Sequence, residues 1–211
     1  MKPRLSLAAV FSILFLPFYS NNQAQEIARA GKFEIGGAVQ WFGGQTVDAR
    51  FDGRSGDLKM DDLFGGGLHF GYNITDQLNI NTEVIFGRAE LAFSSDGMRV
   101  SDKADFVAWT VNLDYYILPT RFTPYVSAGL GFMSLENKYE DDGWFYIIVD
   151  RELPVSEVDF VWNVGGGLRW DPIDQLYLKL AYRLSGTELE YADESMLVHS
   201  VLFTVGYSVG N

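Results

Sequence analysis

Apolar residues recur at every second position through eight stretches of this chain, and polar or small residues fill the positions between them. In the first, 32–42, Phe33, Ile35, Gly37, Val39 and Trp41 share one face, while Glu34, Gly36, Ala38 and Gln40 share the other. Alternation of this period predicts amphipathic strands, because successive side chains of a strand point to opposite faces. The stretch at 63–72 sets Phe64, Leu68, Phe70 and Tyr72 against Gly65, Gly67, His69 and Gly71. The next sets Leu78, Ile80, Thr82, Val84 and Phe86 against Asn79, Asn81 and Glu83. Further runs carry Val107 to Tyr115, Val126 to Phe132, Trp162 to Trp170, Leu176 to Tyr182 and Leu197 to Tyr207 on their apolar faces.

Short and long connections alternate between the runs. Residues 73–77, 118–121 and 171–174 read as tight turns, where Asn and Asp bond their own backbone and Pro is tolerated. The segments 43–62, 94–103 and 136–157 are Gly-, Ser- and Asp-rich and read as longer loops. Strands of about 10 residues cross a bilayer at a tilt, and transmembrane barrels join them by tight turns on one side and longer loops on the other. Phe33, Tyr72, Tyr115, Trp170 and Tyr207 fall at the turn-side ends; Trp41, Phe64, Phe86, Trp109, Phe132, Trp162 and Tyr182 fall at the loop-side ends. Two such girdles suit headgroup levels. The expected fold is all-β: an eight-stranded antiparallel transmembrane β-barrel wired as an up-and-down meander. A soluble barrel of lipocalin type, with its faces inverted around a ligand, has the same alternation. The polar face argues against it, being Gly, Ser, Asn and Tyr where a solvated sheet would carry many Lys and Glu.

Outside the alternating runs, one segment is continuously apolar near the N-terminus. Lys2 and Arg4 precede an apolar stretch from Leu5 through Tyr19, and Ser20 to Gln23 follow. This order predicts an export signal over 1–24 and a barrel domain over 25–211. Ala28-Arg29-Ala30 fits the small-residue cleavage rule better than the Ala24 site but lies far from the apolar core. Pro17 and the short length argue against an uncleaved anchor helix. The chain has no cysteine, which removes disulfides, thiolate metal sites and Cys nucleophiles. The formal charge is −12, or −14 once Lys2 and Arg4 are removed, and an acidic balance excludes nucleic acid as a partner.

Three sets of residues carry the candidate chemistry. Glu34, Glu83 and Asp114 face inward with Arg169, Lys179 and Arg183. An eight-stranded barrel is just wide enough for its own side chains to fill, so these charges are expected to pair and plug the lumen. The alternative is a narrow path for ions or small solutes. His69 is expected to join the same network. His199 faces outward near the loop end, beside Ser200, with Asp193 and Ser195 close in sequence; this admits an acyl-transfer site acting on lipid A, although Ser200 points to the other face. The long loop carries Glu136, Glu140, Asp141, Asp142, Asp150, Glu152, Glu157 and Asp159 without any dedicated calcium spacing. It also contains Trp144, Phe145, Tyr146, Ile147, Ile148 and Val149, readable as a hairpin extending the sheet or as a surface contact patch. No catalytic, cofactor or metal residue is assigned.

The run Gly71-Tyr72-Asn73-Ile74-Thr75-Asp76-Gln77-Leu78, the run Thr123-Pro124-Tyr125-Val126-Ser127-Ala128-Gly129-Leu130-Gly131 and the strand Val201 to Tyr207 resemble the OmpA/OmpX-type outer-membrane barrel superfamily. The resemblance covers essentially the whole mature chain, and its motifs are architectural. It implies residence in the outer membrane and contact with lipid and lipopolysaccharide. Members serve in envelope integrity, adhesion and serum resistance, and some as narrow pores or lipid-modifying enzymes. The chain departs from the pattern in two ways: no peptidoglycan-binding domain follows the barrel, and the sequence ends Tyr207-Ser208-Val209-Gly210-Asn211 instead of on an aromatic. The expectation is a monomeric, non-enzymatic barrel whose structural or adhesin-like role is carried by its loops toward a host or envelope surface ligand.

Overall fold

The computed structural model describes residues 26–51, 54–95, 98–137, 158–187 and 196–210. The expected export signal, the apolar patch from Trp144 to Val149 and most of the acidic loop lie outside the described residues. Ten strands form one sheet: β1 (Phe33–Phe42), β2 (Gln45–Phe51), β3 (Arg54–Met60), β4 (Leu63–Asn73), β5 (Leu78–Ser95), β6 (Met98–Tyr116), β7 (Phe122–Asn137), β8 (Val158–Ile173), β9 (Leu176–Thr187) and β10 (Met196–Val209). All pairings are antiparallel. The sheet runs β2-β3-β5-β4-β1-β10-β9-β8-β7-β6, and pairing of β5 with β6 closes β1 and β4 to β10 into an eight-stranded barrel. The first and last barrel strands meet in register from Phe33↔Val209 to Phe42↔Ser200.

The two faces divide as the alternation requires. Ile35, Leu68, Leu113, Leu130, Val164, Leu180, Phe203 and Val205 stand exposed on the outside. Glu34, His69, Asn79, Asn81, Glu83, Asn112, Asp114, Arg169 and Lys179 are buried inside. An apolar exterior this continuous needs lipid against it, since soluble monomers rarely expose large contiguous apolar patches. The inverted, soluble arrangement is thereby removed.

Three connections differ from the sequence expectation. Residues 43–62 are not a plain loop: β2 and β3 form a hairpin whose second strand pairs with β5 from Met60↔Leu91 to Asp57↔Ser94. The expected loop at 94–103 is strand almost throughout, with β5 and β6 paired out to Ser95↔Met98. Local polarity masked both features, because a wall standing in water needs no apolar face. Finally, 171–174 is not the turn. β8 continues to Ile173 through a register shift between Trp170 and Ile173, where Pro172 sits. A bulge tolerates a proline, and Asp171, two residues after Arg169, keeps the inward face of the strand.

Candidate functional site

Strand parity brings the inward residues together toward the turn end of the barrel. Glu34 on β1 is the hub. Arg169 on β8 donates through Nη1 to Glu34 Oε1 at 2.6 Å and to the Tyr116 hydroxyl at 2.7 Å. Its Nη2 donates to Asp171 Oδ1 at 2.8 Å, and its Nε also reaches that carboxylate. The guanidinium lies 4.9 Å from the Tyr116 ring centre and 4.8 Å from that of Tyr177, so both its edge and its faces are occupied. Lys179 on β9 bridges Asp114 Oδ2 at 3.1 Å and Glu34 Oε2 at 3.5 Å. Ser127 donates to the other oxygen of Asp114 at 2.7 Å.

A second ion pair lies further toward the loops. Arg183 grips Glu83 with both terminal nitrogens, its Nη2 at 3.1 Å from Oε1. His69 stands between the two clusters, with Nδ1 at 3.2 Å from Glu83 and Nε2 at 3.6 Å from Glu34. A run of asparagine amides connects the levels: Asn163 to Asn112, Asn112 to Asn81, Asn81 to Asn79, and Asn79 to Asn73. Each amide offers both a donor and an acceptor, so such a ladder satisfies buried groups without adding charge.

The six charged residues singled out in the sequence therefore meet in one connected interior. Sequence reasoning missed two more. Asp171 was assigned to a turn, and Arg29 precedes the first strand; both are buried and pair with one another at 2.6 Å. With them, the described interior holds four acids, Glu34, Glu83, Asp114 and Asp171, and four bases, Arg29, Arg169, Lys179 and Arg183. Four acids set against four bases make burial tolerable, because an unpaired ion in such a place is costly. No spacing rule flags Arg29.

Toward the loop end the interior changes character. Ala38, Leu63, Ile85, Ala89, Phe106 and Leu202 form an apolar cluster against which Phe42, Met60 and Ala108 pack. Phe42 and Phe106 meet edge to face with ring centres 5.4 Å apart. A uniformly polar inside, as the alternation suggested, is thus only half of the arrangement. Large inward side chains have room because small ones oppose them: a Cβ on Gly206 would stand 2.4 Å from the Tyr177 hydroxyl and one on Gly36 2.9 Å from it.

His199 lies on the outside, and its Nδ1 is 2.5 Å from the Tyr182 hydroxyl. Ser200 points inward, where Gln40 donates to its hydroxyl at 2.8 Å. These two residues are not brought together. Asp193 and Ser195 lie outside the described residues.

Comparison with known proteins adds four findings. The family model for the outer membrane protein beta-barrel domain matches residues 7–208. Outer membrane protein PagN of Salmonella typhimurium is 24% identical over 198 residues, covering 82% of this chain and 81% of that protein. The crystal structure of outer membrane protein OprG from Pseudomonas aeruginosa superposes with a TM-score of 0.66 at 14% identity, covering 88% of this chain and 99% of that one. The solid-state NMR structure of outer membrane protein AlkL in lipid bilayers gives 0.54 at 16% identity, covering 92% and 96%. At such identities the two structures speak for the fold alone.

Proposed function

From a chain that belongs to the outer membrane protein beta-barrel domain family, and that resides in the outer membrane in contact with its lipid, we propose a surface-interaction role carried by the loop end of the barrel, with no solute path through it. The observation that carries this reading is the filled interior: eight paired charges and an asparagine ladder at one level, an apolar cluster above them. A small barrel has no width to spare once such side chains occupy it. The wall also favours the loop end. β5 and β6 run for 18 and 19 residues, where about 10 cross the bilayer, so the sheet continues well beyond the apolar band. The β2–β3 hairpin widens that projecting wall. The ligand class expected there is a host or envelope surface component, with Trp144 to Val149 as the contact patch.

The test is binding of proteoliposomes carrying the protein to cultured epithelial cells. Deletion of residues 144–149 is expected to abolish binding while the folded barrel keeps its heat-modifiable gel mobility. Undiminished binding by the deletion variant, or no binding by the intact protein, would count against the proposal.

A further inference from the structure

We propose that residues 26–32 form a stopper across the turn-end mouth of the barrel, held by Arg29, and that the mature chain therefore begins at or before Glu26. The proposal rests on the closed-lumen reading above and assigns the closure of one mouth to a particular segment.

The argument starts from where the segment is anchored. Glu26 forms an antiparallel bridge with Thr120, in the turn between β6 and β7, and the Ile27 amide donates to Pro119 O at 3.1 Å. In the ring order β1-β4-β5-β6-β7-β8-β9-β10, that turn lies on the opposite side of the barrel from β1. Seven residues later the same chain enters β1. On the way it meets the β4–β5 turn at Asp76 and the end of β4 at Asn73, so it spans the mouth on that side of the barrel.

Along the way it is fastened at every step. The Arg29 and Ala30 amides donate to the Asp76 carboxylate, in the β4–β5 turn, at 2.7 and 2.9 Å. Gly31 donates to Asn73 O at 2.8 Å, and Lys32 N closes a turn onto Arg29 O at 3.0 Å. Gly31 has φ 79°, a left-handed conformation that glycine adopts without strain, and this swings the chain upright into β1. Between these anchors the Arg29 side chain drops into the barrel and is only 1% exposed. Its Nη2 donates to Asp171 Oδ2 at 2.6 Å and to Thr120 O at 2.5 Å, and the guanidinium lies 5.1 Å from the Tyr116 ring centre. One side chain therefore ties the strap to the β6–β7 turn, to β8 and to the lumen network.

This placement decides between the two candidate processing sites. Cleavage after Ala30 would remove the bridge to Thr120, both amides on Asp76 and Arg29 itself. The interior would then hold four acids against three bases. Cleavage before Glu26 leaves every contact in place. Ala28-Arg29-Ala30 is retained structure that happens to match the small-residue rule.

Two measurements test this. The first is the N-terminus of the full-length protein purified from outer membranes, by sequencing or intact mass. A start at or before Glu26 is expected, and a start after Ala30 would overturn the proposal. The second uses the absence of cysteine in the chain. Ser208 is buried and lies on β10 opposite Glu34, just inside the mouth, so Ser208→Cys places a nearly isosteric reporter there. Its modification by a cationic methanethiosulfonate reagent is expected to be slow in the parent and about tenfold or more faster with Arg29→Ala, because local opening sets the rate. Asp76→Ala, which frees the strap backbone without removing a buried charge, is the second variant should Arg29→Ala fail to show heat-modifiable mobility. Slow labelling in the parent and in a folded variant alike would overturn the stopper and leave the closed lumen standing. Fast labelling in the parent would remove both.

Discussion

Glu34 accepts hydrogen bonds from Arg169, Asn73, Asn79 and Lys179, and its carboxylate also faces His69, all out of contact with water. A buried ion pair adds little over a well-packed apolar substitute, but removing one partner strands the other. Glu34→Ala is therefore expected to destabilise the folded barrel by about 3–5 kcal/mol, through the uncompensated charge left on Arg169 and Lys179. Urea titration of the protein in lipid vesicles measures it; an unchanged midpoint would show that the interior ions are not mutually dependent. Asp76, in the β4–β5 turn, behaves differently because it is largely solvated. Hydrogen bonds from the Ala30 and Arg29 amides hold its carboxyl below the usual aspartate range, against a smaller opposing effect of burial. Its contribution to holding the strap is full above the ordinary aspartate pKa and is lost as pH falls through the lowered folded value. The Ala30 amide resonance in NMR spectra is expected to titrate with a midpoint below that of a free aspartate, and Asp76→Asn to abolish the transition. A midpoint at or above the ordinary value would contradict the geometry.

Strands were the most legible elements, since alternation reports which residues share a face regardless of what the face meets. Leu180 shows what the exterior requires. It stands outward on β9 between Phe203 of β10 and Leu168 of β8, in the middle of the apolar band. Leu180→Arg is expected to cost about 2–4 kcal/mol of folding free energy into bilayers, as charges at the midplane of barrel exteriors do. A cost near zero would mean that the band does not face lipid. The same logic explains what the pattern hid. The β2–β3 hairpin and the outer halves of β5 and β6 stand clear of the bilayer, so their side chains carry no lipid signature and read as polar loop. Asp171 escaped because Asp171-Pro172 reads as the start of a turn, which ends the alternation at Trp170, although the strand runs on and keeps Asp171 on the inward face of Arg169. Arg29 escaped because a strap has no period at all; its burial depends on turns remote in sequence at Asp76 and Thr120. The apolar upper interior of Leu63, Ile85 and Phe106 could not be separated from the polar face by alternation, which records sides and not depth.

For the whole molecule, the balance between wall and contents decides the function. Eight strands fix a diameter, and the described interior fills it in two tiers: paired ions and amides toward the turns, apolar side chains toward the loops. The strap across the turn end closes the lower tier, and the long β5–β6 hairpin carries the wall outward on the other side. On the proposed reading, such a molecule offers its surroundings a surface at the loop end and no passage between compartments. The central claim is the absence of a passage, and planar-bilayer conductance of the refolded protein, with folding verified by heat-modifiable mobility, tests it most directly. No discrete conductance steps are expected across the voltages at which the bilayer itself is stable. Reproducible single-channel steps from the folded protein would contradict the account and turn the lumen charges from a plug into a conduction path.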